Sequence, residues 1–503
     1  MNKIEIRGTV KIPKHVLRDQ DLKFIEDKLV YRSKYDRADT ELVKGYIDND
    51  DHFLVPRFWF EKHLAKRYTQ MLVDVSPAEP RQDWPFNGKL RSHQIMPKDD
   101  YASFPRVVEL LLRHTGLFVS APCGSGKTVC GNYVISQLGV SAMVLTPGET
   151  VRDQWIAAIK MFLPELVVTE YSGKRKNLSG DVVVASLQLM AKAPIQRAFG
   201  LLIVDEAHMS STKEFQKAIY NVQFRNSLAF TATGNRFDGM DPLFRNALGT
   251  KEIELDTDQM PVSVRFEPYP LSSNDAHYLA RFRSERVDAK MSMITYRNSK
   301  LIKAIQAAYL NARKIVVISK SIEQLMLLRT VFQKLEPDAK TALFCGDVTR
   351  KGKVVKELKR SAAQVREDET YVADADAVLF ATTGKVGTGW DCAEKDALIL
   401  GLPMLDIRQV IGRVQRFVVG KPKPIVLYPV DDLDSIINRA KGTYWGALWP
   451  LIQRGQCRVD NRCDYLELGD GPGRRTNRSS STKSSTPLQG KFFTTKESGD
   501  LYE

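Results

Sequence analysis

Short β-branched runs separated by helical patterns recur along most of the chain. From about residue 80 to 262 the runs are LFVSA, AMVLT, DVVVAS, LLIVDEA and SLAFTAT. Helical spacing of apolar residues fills the intervals, as in VCGNYVISQL after the first run. Strands alternating with helices predict a parallel sheet covered on both faces. The alternation pauses over KEIELDTDQMPVSVRFEPYPLSS, then resumes as KIVVISK, TALFCGD, DAVLFAT, ALILGLP and PIVLYPV. The expected fold class is therefore α/β, with two lobes in tandem. Their predicted bounds are 79–265 and 266–445, behind a small α+β domain at 1–78. A C-terminal extension, 446–503, ends in a Ser/Thr/Gly/Arg-rich tail from Gly469, whose few apolar residues predict disorder.

At 503 residues the chain is too long for a single core, which agrees with several domains. No apolar run reaches the roughly 18 residues needed to span a bilayer, and the N-terminus lacks a signal-peptide pattern. The expectation is a cytoplasmic protein without membrane association. Its six cysteines form no C-x-x-C pair and lack His or Cys companions at zinc spacing, so reduced thiols are expected. A net charge of +14 changes the picture more, because Lys and Arg bind polyanions by releasing their counterions.

The run LFVSA leads into Ala121-Pro122-Cys123-Gly124-Ser125-Gly126-Lys127-Thr128 and then a helical pattern. This is a phosphate loop in the strand–loop–helix setting it requires. Glycines let backbone N–H groups turn onto phosphates at a helix N-terminus that favours anions. Lys127 is placed on the β- and γ-phosphates of ATP, and Thr128 on Mg²⁺. The apolar strand LLIVDEAH ends in Asp205-Glu206, expected beside the loop, with Asp205 on Mg²⁺ and Glu206 orienting the attacking water.

With these residues the chain resembles the first motor lobe of a superfamily 2 helicase, in the branch that includes XPB and UvsW. That resemblance implies tandem RecA-like P-loop lobes and extends to further motifs. Arg91 and Gln94 in LRSHQ resemble the adenine-reading motif. Pro147, Gln154 and Trp155 in LTPGETVRDQW resemble a motif that grips a nucleic-acid backbone, although Gly148 stands where Thr is usual. Ser186 and Gln188 resemble another strand contact, and Thr231-Ala232-Thr233 resembles the motif coupling hydrolysis to DNA.

In the second lobe Arg408-Gln409-Val410-Ile411-Gly412-Arg413-Val414-Gln415-Arg416 matches Q-x-x-G-R-x-x-R. The spacing predicts Gln409, Gly412, Arg413 and Arg416 on one helix face. Arg416 is expected as the arginine finger, with Arg413 as a second contact. Gly389 and Asp391 resemble the G-x-D link between ATP and the strand, with Thr383 opening that motif and Thr388 in place of its usual Arg. Gly346 falls in a loop resembling a backbone-binding one. The resemblance covers about residues 85 to 430.

The phrase TYRNSK at 295–300 and the stretch Leu54–Phe60 are like those of the UvsW branch. This implies an ATP-dependent DNA helicase, monomeric or weakly self-associating, of the branch-migration kind found in T-odd or T-even tailed phages. Fork regression and Holliday-junction migration in replication, recombination and repair would then be its work. Arg57, Phe58 and Trp59 are expected either to stack or wedge at a fork or to form a domain core. The alternatives are an RNA helicase, a restriction-type duplex translocase, or a nucleotide-gated DNA-binding or annealing module without turnover.

Overall fold

The computed structural model describes residues 3–32, 42–77, 79–98, 100–122, 124–207, 212–231, 239–282, 284–350, 353–355, 358–387, 390 and 392–468. Within them the chain divides into two compact units, meeting at Asp258 and Gln259. The tail from Gly469, expected to be disordered, lies outside the described residues, as do Cys123, Ala232, Thr233, Thr388, Gly389 and Asp391.

The first unit opens with a five-stranded sheet in the order β5-β6-β2-β1-β7. Its strands are β1 (Ile4–Ile6), β2 (Thr9–Pro13), β5 (Ile47–Asp48), β6 (His52–Pro56) and β7 (Leu72–Asp74), while β3 (Val30–Tyr31) and β4 (Val43–Lys44) pair separately. Helices α1 (Asp19–Lys28) and α2 (Arg57–His63) complete this α+β domain. Strand β6 runs straight into α2, with Pro56 as its N-cap at a φ of −61°, and proline's fixed φ suits a helix entry.

The first α/β lobe follows as a wholly parallel seven-stranded sheet in the order β10-β11-β9-β12-β13-β8-β14. Its strands are β8 (Gly116–Ser120), β9 (Ala142–Thr146), β10 (Val168–Tyr171), β11 (Val182–Ser186), β12 (Ala198–Val204), β13 (Gln223–Thr231) and β14 (Lys251–Glu254). Alternate residues feed two cores. Leu117, Val119, Val144 and Ile203 pack with Val107, Val134 and Trp155 on one face. Phe118, Met143, Leu202 and Val204 pack with Phe215 and Phe244 on the other. Covering on both faces explains why these strands read as unbroken apolar runs.

The second unit repeats the design in the order β17-β20-β16-β21-β22-β15-β23, again parallel. Its strands are β15 (Val262–Tyr269), β16 (Ile315–Ser319), β17 (Thr341–Phe344), β20 (Val378–Thr382), β21 (Ala397–Leu400), β22 (Ile425–Asp431) and β23 (Cys457–Asn461), with a hairpin of β18 (Thr349–Arg350) and β19 (Lys353–Val354). Two expected bounds shift. The division at 265/266 would cut β15, which hydrogen-bonds to β22 and β23 and so belongs wholly to the second unit. The extension expected from 446 supplies β23 to that sheet rather than standing apart.

Among the described residues no helix is long and apolar enough to cross a membrane. The five described cysteines are buried free thiols.

Candidate nucleotide site and strand-binding edge

Strand β8 ends at Ser120, and the loop to α5 (Lys127–Leu138) turns through Gly124 and Gly126, both at φ +88°. Those left-handed positions suit glycine, and a Cβ on Gly126 would lie 2.6 Å from Gln94 Nε2. Lys127 is the first residue of α5, so its chain rises from a helix N-terminus where unpaired N–H groups favour phosphate. Among the described residues the buried Ser125 hydroxyl has no hydrogen-bond partner, leaving one more group to meet a ligand oxygen. Pro122 and Thr128 are half-buried beside it. The residues present thus fit a nucleotide triphosphate with its magnesium.

Asp205 and Glu206 follow β12 and reach the phosphate loop, though from a strand that is not its immediate neighbour. Strand β13 lies between β8 and β12. Its C-terminal residue Thr231 occupies the gap, with its carbonyl accepting the Ala121 N–H at 2.7 Å. The residue of the coupling motif that the structure describes therefore separates the two halves of the phosphate site.

Lys127 Nζ forms an ion pair with Glu206 Oε1, bridging that gap. Glu206 adopts a φ of +48°, uncommon for a residue with a side chain, and its N–H donates to Asp205 Oδ1 at 2.9 Å. Asp205 is 4% exposed. Burial pushes its carboxyl above the usual range, while Lys127 pulls it back.

Trp155 was expected on the nucleic acid, and its placement is a correction. It lies on α6 (Glu149–Phe162), fully buried, and its indole Nε1 donates to Asp205 Oδ2 at 2.8 Å. The ring rests on α5, where a Cβ on Gly131 would come within 2.5 Å of it. One side chain thus touches the phosphate-loop helix and anchors the Asp205 carboxylate. A glycine in the middle of an otherwise regular helix was the signal for this contact. Trp155→Phe keeps most of the packing but strands one buried carboxylate oxygen, at a cost of about 1–3 kcal/mol. Supporting groups of this kind are worth roughly 10–100-fold in metal affinity or activity. A loss of that size is expected in ATPase titrations against Mg²⁺; unchanged titrations would show the contact to be packing alone.

Gln94 is placed beside the loop, but both ends of its amide are engaged. Oε1 accepts the Arg91 N–H at 2.9 Å, and Nε2 lies 3.5 Å from the Ser125 carbonyl. Each contact uses one of the amide's two N–H donors and two acceptor lone pairs, so one of each is left to a ligand.

The expected strand-contact residues of the first lobe do gather. Pro147 follows β9 and Ser186 ends the adjacent β11. Gln188 Nε2 donates to the Pro147 carbonyl at 3.0 Å, and the Ser186 hydroxyl accepts the Leu189 N–H at 3.3 Å. Gln154 and Gln188 are exposed. In the second unit, Gly346 after β17 and Thr383 after β20 stand at neighbouring strand ends, Gly346 with open space around it.

Arg57, Phe58 and Trp59 are all buried, which runs against a wedge or stacking role. Helix α2 lies between its own sheet and the first α/β lobe. Trp59 packs in the small domain, its ring 5.6 Å from that of Phe24. Phe58 faces the other way, where a Cβ on Gly116 of β8 would strike it at 2.1 Å. Arg57 donates to Glu61 Oε1 and to the Arg225 carbonyl of β13. These residues fasten the N-terminal domain to the lobe.

The helix Arg408–Val414 carries Gln409 and Arg413, both half-buried, with Gly412 buried. The expected single helical face stops short, because the helix ends at Val414. Arg416 lies in the turn beyond, bridged to Gln259.

Residues 87–236 match the family model described as type III restriction enzyme, res subunit. A protein of Acanthamoeba polyphaga mimivirus bearing the name ATP-dependent RNA helicase is 24% identical over 86% of this chain and 82% of its own. A helicase of Escherichia phage T5 is 23% identical over 60% of this chain and 65% of its own. An African swine fever virus protein, also bearing an RNA helicase name, is 31% identical, but over 28% of this chain and 30% of its own length. The crystal structure of T4 UvsW aligns over 91% of this chain and 99% of its own at 14% identity and a TM-score of 0.36, too loose a likeness to add weight. Residues 87–236 are thus similar to the helicase region of that restriction-subunit family, and the chain is similar over most of its length to a viral protein named as a helicase.

Proposed function

We propose that this chain hydrolyses ATP with Mg²⁺ and uses the energy to move along and remodel branched DNA, as in fork regression and Holliday-junction migration. The observation that carries the ATPase reading is the division of its chemistry. Lys127, Thr128, Asp205 and Glu206 gather in the first unit, while Gln409, Arg413 and Arg416 are offered by the second. In this reading Lys127 and Thr128 hold the phosphates and the metal, and Glu206 directs water. Arg416 stabilises charge developing on the γ-phosphoryl group, with Arg413 beside it. Gly389 and Asp391 would link that site to the strand.

The edge formed by Pro147, Ser186 and Gln188, with Gln154 exposed on α6, supports a nucleic-acid track in the first unit, and Gly346 and Thr383 offer strand-end positions for one in the second. The net charge of +14 supports a polyanionic partner. RNA is the second reading, favoured by the names of the mimivirus and African swine fever virus relatives. ATPase rates measured with single-stranded, duplex, forked and four-way DNA and with duplex RNA separate the two. Forked and four-way DNA are expected to stimulate most. Full stimulation by RNA with none by branched DNA would overturn the DNA reading.

A further inference from the structure

The turn that carries Arg416 is held from two sides by groups the proposed chemistry does not use. Gln415 sits between the two arginine positions and is 2% exposed. Its backbone carbonyl accepts the Met260 N–H at 2.7 Å. Its side-chain Nε2 donates to the Met260 carbonyl at 3.2 Å and to the Gln456 carbonyl at 3.1 Å. Arg416 itself pairs with Gln259 in an antiparallel bridge. From the opposite side Lys421 Nζ donates to the carbonyls of Ala393 at 2.6 Å, Val414 at 2.7 Å and Arg416 at 3.0 Å. Carbonyls at a helix C-terminus lack partners within the helix, and a lysine is well suited to cap them.

The partners of Gln415 are informative. Gln259 and Met260 are the first residues of the second unit, directly after the chain leaves the first at Asp258. The connecting segment is therefore hydrogen-bonded to the Arg416 turn before it enters β15. A buried amide with two carbonyl acceptors fixes that registry closely, because losing it strands backbone acceptors away from water.

We propose that Gln415 is a positioning residue for Arg416, clasping the turn that bears it to the segment joining the two units, so that the guanidinium is aimed by the connection itself. Movement of the connecting segment is then transmitted to Arg416 without passing through the sheet. The inference rests on the reading of Arg416 as the arginine finger. It adds that the finger's position is set by Gln415 on one side and Lys421 on the other.

The test uses the full chain with Gln415→Met, which keeps side-chain bulk and removes the amide, beside Arg416→Ala. Turnover and KM for ATP are measured, together with affinity for a non-hydrolysable ATP analogue and for ADP–aluminium fluoride, a mimic of the transferring phosphoryl group. A group acting only in the transition state changes kcat and leaves ground-state binding alone. For Gln415→Met, kcat and ADP–aluminium fluoride affinity are expected to fall roughly 10-fold or more, with KM and analogue affinity within about twofold. Lys421→Met loosens the same turn from the other side and is expected to show the same split, so the inference stays open to test if Gln415→Met misfolds. Wild-type kcat in both variants, with Arg416→Ala inactive, would overturn the clasp. A parallel fall in both affinities would overturn it too, as general damage. Arg416→Ala at wild-type turnover would instead overturn the finger reading beneath it.

Discussion

Lys127→Ala is expected to lower ATP turnover by about 10²–10³-fold or more while leaving nucleic-acid binding in place. Removing one preorganised donor from a developing oxyanion costs about that much where it has been measured. Here the loss is compounded by the ion pair with Glu206, whose side chain is 13% exposed. The ammonium pairs with the carboxylate expected to direct water. With alanine the ion pair is lost and a largely buried carboxylate loses this cation, which is costly for a charge. Steady-state hydrolysis and DNA-binding titrations on the same preparation check the expectation. Unchanged turnover would refute the phosphate-loop assignment, and wild-type function without any turnover would favour the nucleotide-gated binding module.

The two-lobed fold was legible because parallel sheets covered on both faces need uninterrupted apolar strands, and these stand out from their helices in the sequence. The phosphate loop was legible for a related reason: its glycines and lysine act through local backbone geometry that a short stretch encodes. What escaped depends on contacts distant in sequence. Phe58, Trp59 and Phe60 at consecutive positions look unable to bury together, since periodicity assumes one buried face. Helix α2 instead has two, one against its own sheet and one against Gly116 of the first α/β lobe. Trp155 stands in a strand-gripping motif, yet its indole reaches Asp205, 50 residues away. Arg297, within the phrase at 295–300 that suggested a branch of the family, is buried against Asp431 and the Gly401 carbonyl, so packing alone is reason enough for an arginine there. The unit boundary was placed seven residues late because the strand from Val262 carries alternating polar positions and does not resemble its buried neighbours.

The largest effect is expected from Arg416→Ala. An arginine supplied to the γ-phosphoryl group from a separate element is worth about 10³–10⁵ in rate in related phosphoryl-transfer enzymes. A guanidinium offers paired N–H donors in a rigid planar fork that an ammonium lacks, so lysine at the same place should restore little. Because the interaction strengthens as charge develops, ATP affinity should change far less than turnover. The position of Arg416 past the end of its helix matters to this expectation. A residue on a helical face would share the fate of Arg413, whereas a residue in a separately held turn can be lost alone. Arg413→Ala is accordingly expected to be the milder variant, retaining measurable hydrolysis. Single-turnover assays with saturating ATP and forked DNA distinguish the two. Equal losses in both variants would place Arg413 and Arg416 in one shared role, and a greater loss in Arg413→Ala would move the finger to that residue.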